Sequence, residues 1–92
     1  MANAIVTIKV MPESPDINFE TMKDEIKKKI ADFAGEGDTR DEIEPVAFGL
    51  KALKITFVMD EAKGSPEPVE KEITAIEGVN SVEVVDVRRA IG

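Results

Sequence analysis

Residues 45–53 read Pro45-Val46-Ala47-Phe48-Gly49-Leu50-Lys51-Ala52-Leu53, an apolar run broken by a single glycine. A regular amphipathic helix would space its apolar residues by three and four, and a half-buried strand would alternate them strictly; this run does neither. It reads instead as one strand turning tightly into the next, with Gly49 in the turn. Upstream, a strand is expected from about Arg40 to Phe48. Pro45 within it removes a ladder donor, which places it at a sheet edge or at a bulge. Downstream, Leu53, Ile55, Phe57 and Met59 alternate with Lys54, Thr56 and Val58, the mark of a strand with one well-buried face.

Working outward from this hairpin, residues 4–10 alternate as well. Ala4, Val6, Ile8 and Val10 share one face, and Ile5, Thr7 and Lys9 the other. Pro12-Glu13-Ser14-Pro15-Asp16 ends that strand, and Asp16 or Asn18 is placed to cap a helix by accepting a bond from a free first-turn amide. Over residues 19–34, Phe19, Met22, Ile26, Ile30 and Phe33 recur at steps of three and four, one apolar stripe on a helix that covers a sheet. Asp24/Lys28 and Glu25/Lys29 stand one turn apart, acid before base, on its solvated side together with Lys27-Lys28-Lys29. Gly35-Glu36-Gly37-Asp38 closes the helix.

Asp60 to Pro68 is a charged, Gly- and Pro-bearing loop. A second helix is expected near 67–77, with Val69, Ile73 and Ile76 on one face and Gly78 at its end. The last strand, about Asn80 to Arg88, carries Val82 and Val84 on one face and Glu83, Val85 and Val87 on the other; apolar residues on both faces suggest a strand inside the sheet. The order β-α-β-β-α-β, with right-handed crossovers, defines an α+β ferredoxin-like split βαβ fold. Its four-stranded antiparallel sheet has spatial order 4-1-3-2, with both helices on one face. The other face is open and carries Ile5, Thr7, Lys9, Lys54, Thr56, Val58, Glu83 and Val85.

The chain of 92 residues suits one domain, and its balance of 42% hydrophobic and 34% charged residues suits a folded soluble protein. It contains no Cys, His, Trp or Tyr. Thiolate metal sites, iron–sulfur clusters and cysteine nucleophiles are therefore excluded, and the usual neutral-pH general base is missing. An enzyme is disfavoured. Twelve basic against nineteen acidic side chains give a net charge of −7, which opposes the phosphate neutralisation on which nucleic-acid binding depends and favours a protein partner. The N-terminus has no basic-then-apolar signal, and no run approaches the roughly 20 apolar residues of a membrane span; the expected location is the cytoplasm.

Other chemistry finds little support in the residues. An open ferredoxin-like sheet can stack RNA bases on aromatics, but Phe19 and Phe33 belong to the helix stripe and Phe57 to the inward face of its strand, leaving Phe48 alone. Asp38, Asp41, Glu42 and Glu44 lack the spacing, glycine and terminal glutamate of a calcium loop. Gly35-Glu36-Gly37 follows a helix, whereas a phosphate loop precedes one. No bound nucleotide, cofactor or metal is expected.

Four stretches, Val10-Met11-Pro12-Glu13-Ser14-Pro15-Asp16, Pro45 to Leu53, Ile76-Glu77-Gly78-Val79 and Val82-Glu83-Val84-Val85-Asp86-Val87-Arg88-Arg89, occur in an order that resembles archaeal translation elongation factor 1 beta. That family is the counterpart of the guanine-nucleotide-exchange domain of the eukaryotic factor. The resemblance covers essentially the whole chain. It implies a factor that promotes replacement of GDP by GTP on elongation factor 1 alpha without covalent chemistry; from its size and composition the chain is expected to be a monomer when free. In eukaryotic members an aromatic contacts the GTPase away from its nucleotide, and the segment that matches contains Phe48, with Gly49 and Lys51 beside it. A lysine near the C-terminus intrudes by the magnesium and phosphate site; lining up the terminal strands puts Arg89 there, next to Arg88, and no lysine follows Lys71. The main alternative is a ferredoxin-like regulatory or ligand-binding module using the open sheet face. An acylphosphatase-like enzyme comes third, for want of a phosphate-cradling loop with a paired arginine.

Overall fold

In the computed structural model, which describes residues 3–14, 16–35, 39–46 and 49–90, the alternation of residues 4–10 becomes β1, Asn3–Pro12. It is followed by α1, Phe19–Ala34; β2, Arg40–Pro45; β3, Lys51–Asp60; a 3₁₀ turn, Glu61–Lys63; α2, Glu67–Thr74; and β4, Val79–Ala90. The sheet order is β2-β3-β1-β4 with every neighbouring pair antiparallel, the ferredoxin-like arrangement the element order implies. Among the described residues no helix is long and apolar enough to cross a membrane.

The core lies between the sheet and the helices. Ala4, Val6, Ile8 and Val10 of β1 and Leu53, Ile55, Phe57 and Met59 of β3 are buried against Met22, Ile26 and Ile30 of α1 and Val69 and Ile73 of α2. Each fully buried aliphatic side chain contributes about 1.5–3 kcal/mol, so the two central strands carry most of the stabilisation. Asn18 caps α1 as its position predicts: its Oδ1 accepts from the amides of Glu20 at 3.0 Å and Thr21 at 3.3 Å.

Among the described residues neither Asp24/Lys28 nor Glu25/Lys29 becomes an ion pair, although Glu20 and Lys23 do, at 3.5 Å. Lys29 instead reaches Glu72 of α2 at 3.3 Å. Lys23 and Lys27 both reach Asp41 of β2, each at 3.3 Å. Partners on neighbouring elements are within range because α1 lies across the sheet, so the lysine row is not simply a solvated face. Burial alone would push the Asp41 carboxyl up, but hydrogen bonds and charge attraction from Lys23 and Lys27 outweigh it and hold Asp41 below the usual carboxylate range. The hydrogen bond to Asp41, with its charge, correspondingly raises Lys23.

Two element bounds, and the reason for the two apolar faces of β4, depart from the sequence reading. β2 ends at Pro45, where the proline supplies no ladder donor. α2 ends at Thr74, not 77. There the amide of Ile76 tightens onto the Ile73 carbonyl at 3.0 Å, and Gly78 follows with φ +94°. Among the described residues β4 pairs only with β1, the edge place that the order 4-1-3-2 requires, so its apolar residues on both faces do not put it inside the sheet. Its two apolar faces arise from a β-bulge: Ile8 pairs with Val84 and Thr7 with Asp86, leaving Val85 unpaired. One extra residue inverts the alternation beyond it. Val87 therefore pairs with Val6 and shares the helix-side face, not the face of Glu83, and it is 54% exposed on the outer edge.

Candidate partner interface

The β2–β3 hairpin supplies one set of candidate residues. Pro45 pairs with Lys51 as the last rung, and the amide of Val46 donates to the Leu50 carbonyl at 2.8 Å. Closing so short a loop needs a residue with positive φ, and Gly49 provides it at +76° with open space where a Cβ would stand. Gly49 and Lys51 are exposed. Phe48 lies outside the described residues.

The end of β4 supplies the other set. Because the bulge precedes them, Arg88 pairs with Ile5 on the open face, while Arg89 pairs with Ala4 on the helix side. Each guanidinium finds a carboxylate on its own face. Arg88 Nε donates to Asp86 Oδ2 at 2.8 Å, two residues back on the same strand. Arg89 Nε donates to Glu61 Oε1 at 2.8 Å, on the 3₁₀ turn that follows β3. The Glu61 hydrogen bond and its charge raise the already high pKa of Arg89. Both arginine side chains remain largely exposed, at 76% and 72%.

The two sets are not brought together. β3 runs ten residues from Lys51, beside the hairpin tip, to Asp60, beside the β4 end, a span of about 30 Å at ~3.3 Å per residue. Any single partner touching both must lie along the length of the sheet. The sequence reading overlooked Glu61, which sits in what looked like an undifferentiated charged loop. A signal was available: in strand order 4-1-3-2 the end of β3 lies one strand away from the end of β4, and the intervening Ala4 carries only a methyl.

The open face is largely self-satisfied. The hydroxyls of Thr7 and Thr56 hydrogen-bond at 3.0 Å, and Lys54 reaches Glu44 at 3.7 Å. Of the carboxylates at 38–44, Asp41 is engaged by two lysines and Glu44 by one, while Asp38 lies outside the described residues. A groove of about 450 Å³ lies on the opposite side, between α1 and α2, lined in part by Glu25, Lys29, Asp32 and Glu72.

A ferredoxin-like domain carrying exposed candidate contacts at both ends of its sheet fits a class of small proteins that act by binding another protein. Residues 5–90 match the pattern of the EF-1 guanine nucleotide exchange domain, and the chain belongs to that family. It is 46% identical to elongation factor 1-beta of Methanothermobacter thermautotrophicus over 97% of this chain and 98% of the relative. It is 45% identical to elongation factor 1-beta of Methanosphaera stadtmanae with the same coverage. Its identity to the Staphylothermus marinus protein of that name is 41%, again over 97% and 98%.

Proposed function

We propose that this protein accelerates the replacement of GDP by GTP on elongation factor 1 alpha, gripping the GTPase at both ends of its sheet. Membership of the exchange-domain family carries the reading. The separation of the hairpin from the Arg88–Arg89 end supports the two-point grip. Phe48, with Gly49 and Lys51, is the anchor away from the nucleotide; Arg89, with Arg88, is the group delivered to the phosphate and magnesium site.

The mechanism needs no bond to form or break. A factor that binds the nucleotide-free GTPase more tightly than the GDP-bound form weakens nucleotide binding by the same factor, through linkage. A thousandfold faster release corresponds to about 4 kcal/mol of differential binding, within reach of a few central contacts. Arginine at position 89 suits this task differently from lysine. Its planar fork matches phosphate or carboxylate oxygens in pairs, whereas an ammonium is a compact charge closer to a displaced metal ion. Displacement through phosphate contacts is thus the expected emphasis in this chain.

The test is direct. Elongation factor 1 alpha loaded with fluorescent GDP should release it faster on addition of catalytic amounts of the protein in the presence of excess GTP. Release at the intrinsic rate would rule the reading out.

A further inference from the structure

We infer that Glu61 is a positioning residue for Arg89, holding its guanidinium in the orientation in which it meets the GTPase; this rests on the exchange reading above. Three observations carry the inference.

First, the contact joins Nε of Arg89 to a single carboxylate oxygen at 2.8 Å. A guanidinium held through Nε is held by its side edge, and the end edge, formed by the two terminal amino groups, is left to take a phosphate or carboxylate in paired fashion. Glu61 therefore orients the fork without occupying the edge that recognition uses. A latch that blocked Arg89 would be expected to engage that end edge.

Second, the holder is itself held. The 3₁₀ turn bearing Glu61 is closed by Asp60 Oδ1, which accepts from the Ala62 amide at 2.9 Å, and by the Gly64 amide, which donates to the Glu61 carbonyl at 3.0 Å. The Glu61 side chain is 31% exposed against 72% for Arg89, so the more restrained partner restrains the freer one. Among the described residues Arg88 has no such support from another element, since Asp86 lies on its own strand.

Third, the register leaves room for the reach. Arg89 pairs with Ala4, and Ala4 with Met59, two residues before Glu61. Nothing larger than a methyl stands at the intervening position.

An exposed ion pair of this kind adds little to folding stability. Its contribution here is to spare a long side chain the ordering it would otherwise undergo on contact. Loss of Glu61 should therefore lower the maximal exchange rate while leaving the apparent affinity for the GTPase nearly unchanged, because the hairpin anchor is untouched.

The experiment measures fluorescent-GDP release over a range of factor concentrations for the wild type, E61A, E61Q, R89A and the E61A/R89A pair. E61A is expected to reduce the maximal rate roughly three- to tenfold. E61Q keeps an acceptor for Nε and should recover most of the loss. In the R89A background E61A should have no further effect, since the two act as a unit. In the free chain the Arg89 Nε–H resonance should exchange slowly with water and lose that protection in E61A. The inference is overturned if E61A is as fast as wild type or faster, if it slows R89A by the same factor, or if Nε–H protection is unchanged. Unimpaired R89A would overturn the Arg89 assignment and this role with it. No acceleration by the wild type would overturn the exchange reading itself, while the Nε–H measurement would still report on the pair.

Discussion

Lys51 and Arg89 mark opposite ends of one sheet: Lys51 opens β3 against Pro45, whereas Arg89 pairs through Ala4 with Met59 near the other end of that strand. Sites separated by well over the roughly 10 Å range of direct coupling contribute independently. Phe48→Ala and Arg89→Ala should therefore each slow GDP release on elongation factor 1 alpha, and the double variant should show the product of the two fold-losses. The kinetic division should differ as well, with Phe48→Ala raising the factor concentration needed for half-maximal rate and Arg89→Ala lowering the maximal rate. A double variant no slower than the worse single one would contradict a two-point grip.

The two glycines at turns should respond differently to the same substitution. At Gly49, φ is +76° but a Cβ would meet nothing within 4 Å. Gly49→Ala thus carries backbone strain alone, about 1–2 kcal/mol. At Gly78, φ is +94° and the Cβ would stand 3.1 Å from Ile17 Cδ1, so Gly78→Ala adds crowding against the N-terminal approach to α1. Urea unfolding should show the larger drop in midpoint for Gly78→Ala, with m unchanged in both. Equal drops would mean that Ile17 moves aside freely.

Asp41 should shape the acid limb of the stability curve. Its carboxyl lies below its ordinary value in the folded chain because two ammoniums outweigh the effect of burial. A carboxyl with a depressed folded pKa stabilises fully above its unfolded value, near 4, and that contribution disappears as pH falls through the folded value. Asp41→Asn should accordingly destabilise by at most about 1 kcal/mol at pH 7, where the partly exposed pairs are screened, and by progressively less as pH falls below about 4. A gap between wild type and variant that persists unchanged at pH 2 would show that the ion pairs are not its source.

How much of this was legible beforehand follows from the physics of each element. The hairpin at Gly49, both amphipathic helices and the alternation of β1 and β3 were readable because burial imposes a period on the residues themselves. The Asn18 cap was readable because capping is local. The bounds of α2 were not, since the final turn tightens through backbone bonds that carry no side-chain pattern. The bulge in β4 was obscured because Val85 looked like one more residue in an alternating series. The partner of Arg89 was obscured because the pairing depends on sheet register, which brings residue 61 to residue 89 only after the strands are assembled. Lys29 likewise found Glu72 on α2 in place of Glu25 one turn away, and Lys23 reaches Asp41 of β2 in addition to Glu20 on its own helix.

The irregularity at Val85 reaches past the strand in which it sits. Had strict alternation continued from Val84, Arg88 would have stood opposite Ala4 and Arg89 opposite Asn3, and the two cations would have exchanged faces. Which arginine meets Glu61 is therefore decided four residues upstream of it, at a position bearing no charge. For relatives compared by counting back from the C-terminus, a basic residue in the same column points to the same side only if the bulge is shared. Lysine in one lineage and arginine in another are equivalent by geometry or not at all, and the frame of the sheet, more than the letter in the alignment, decides which.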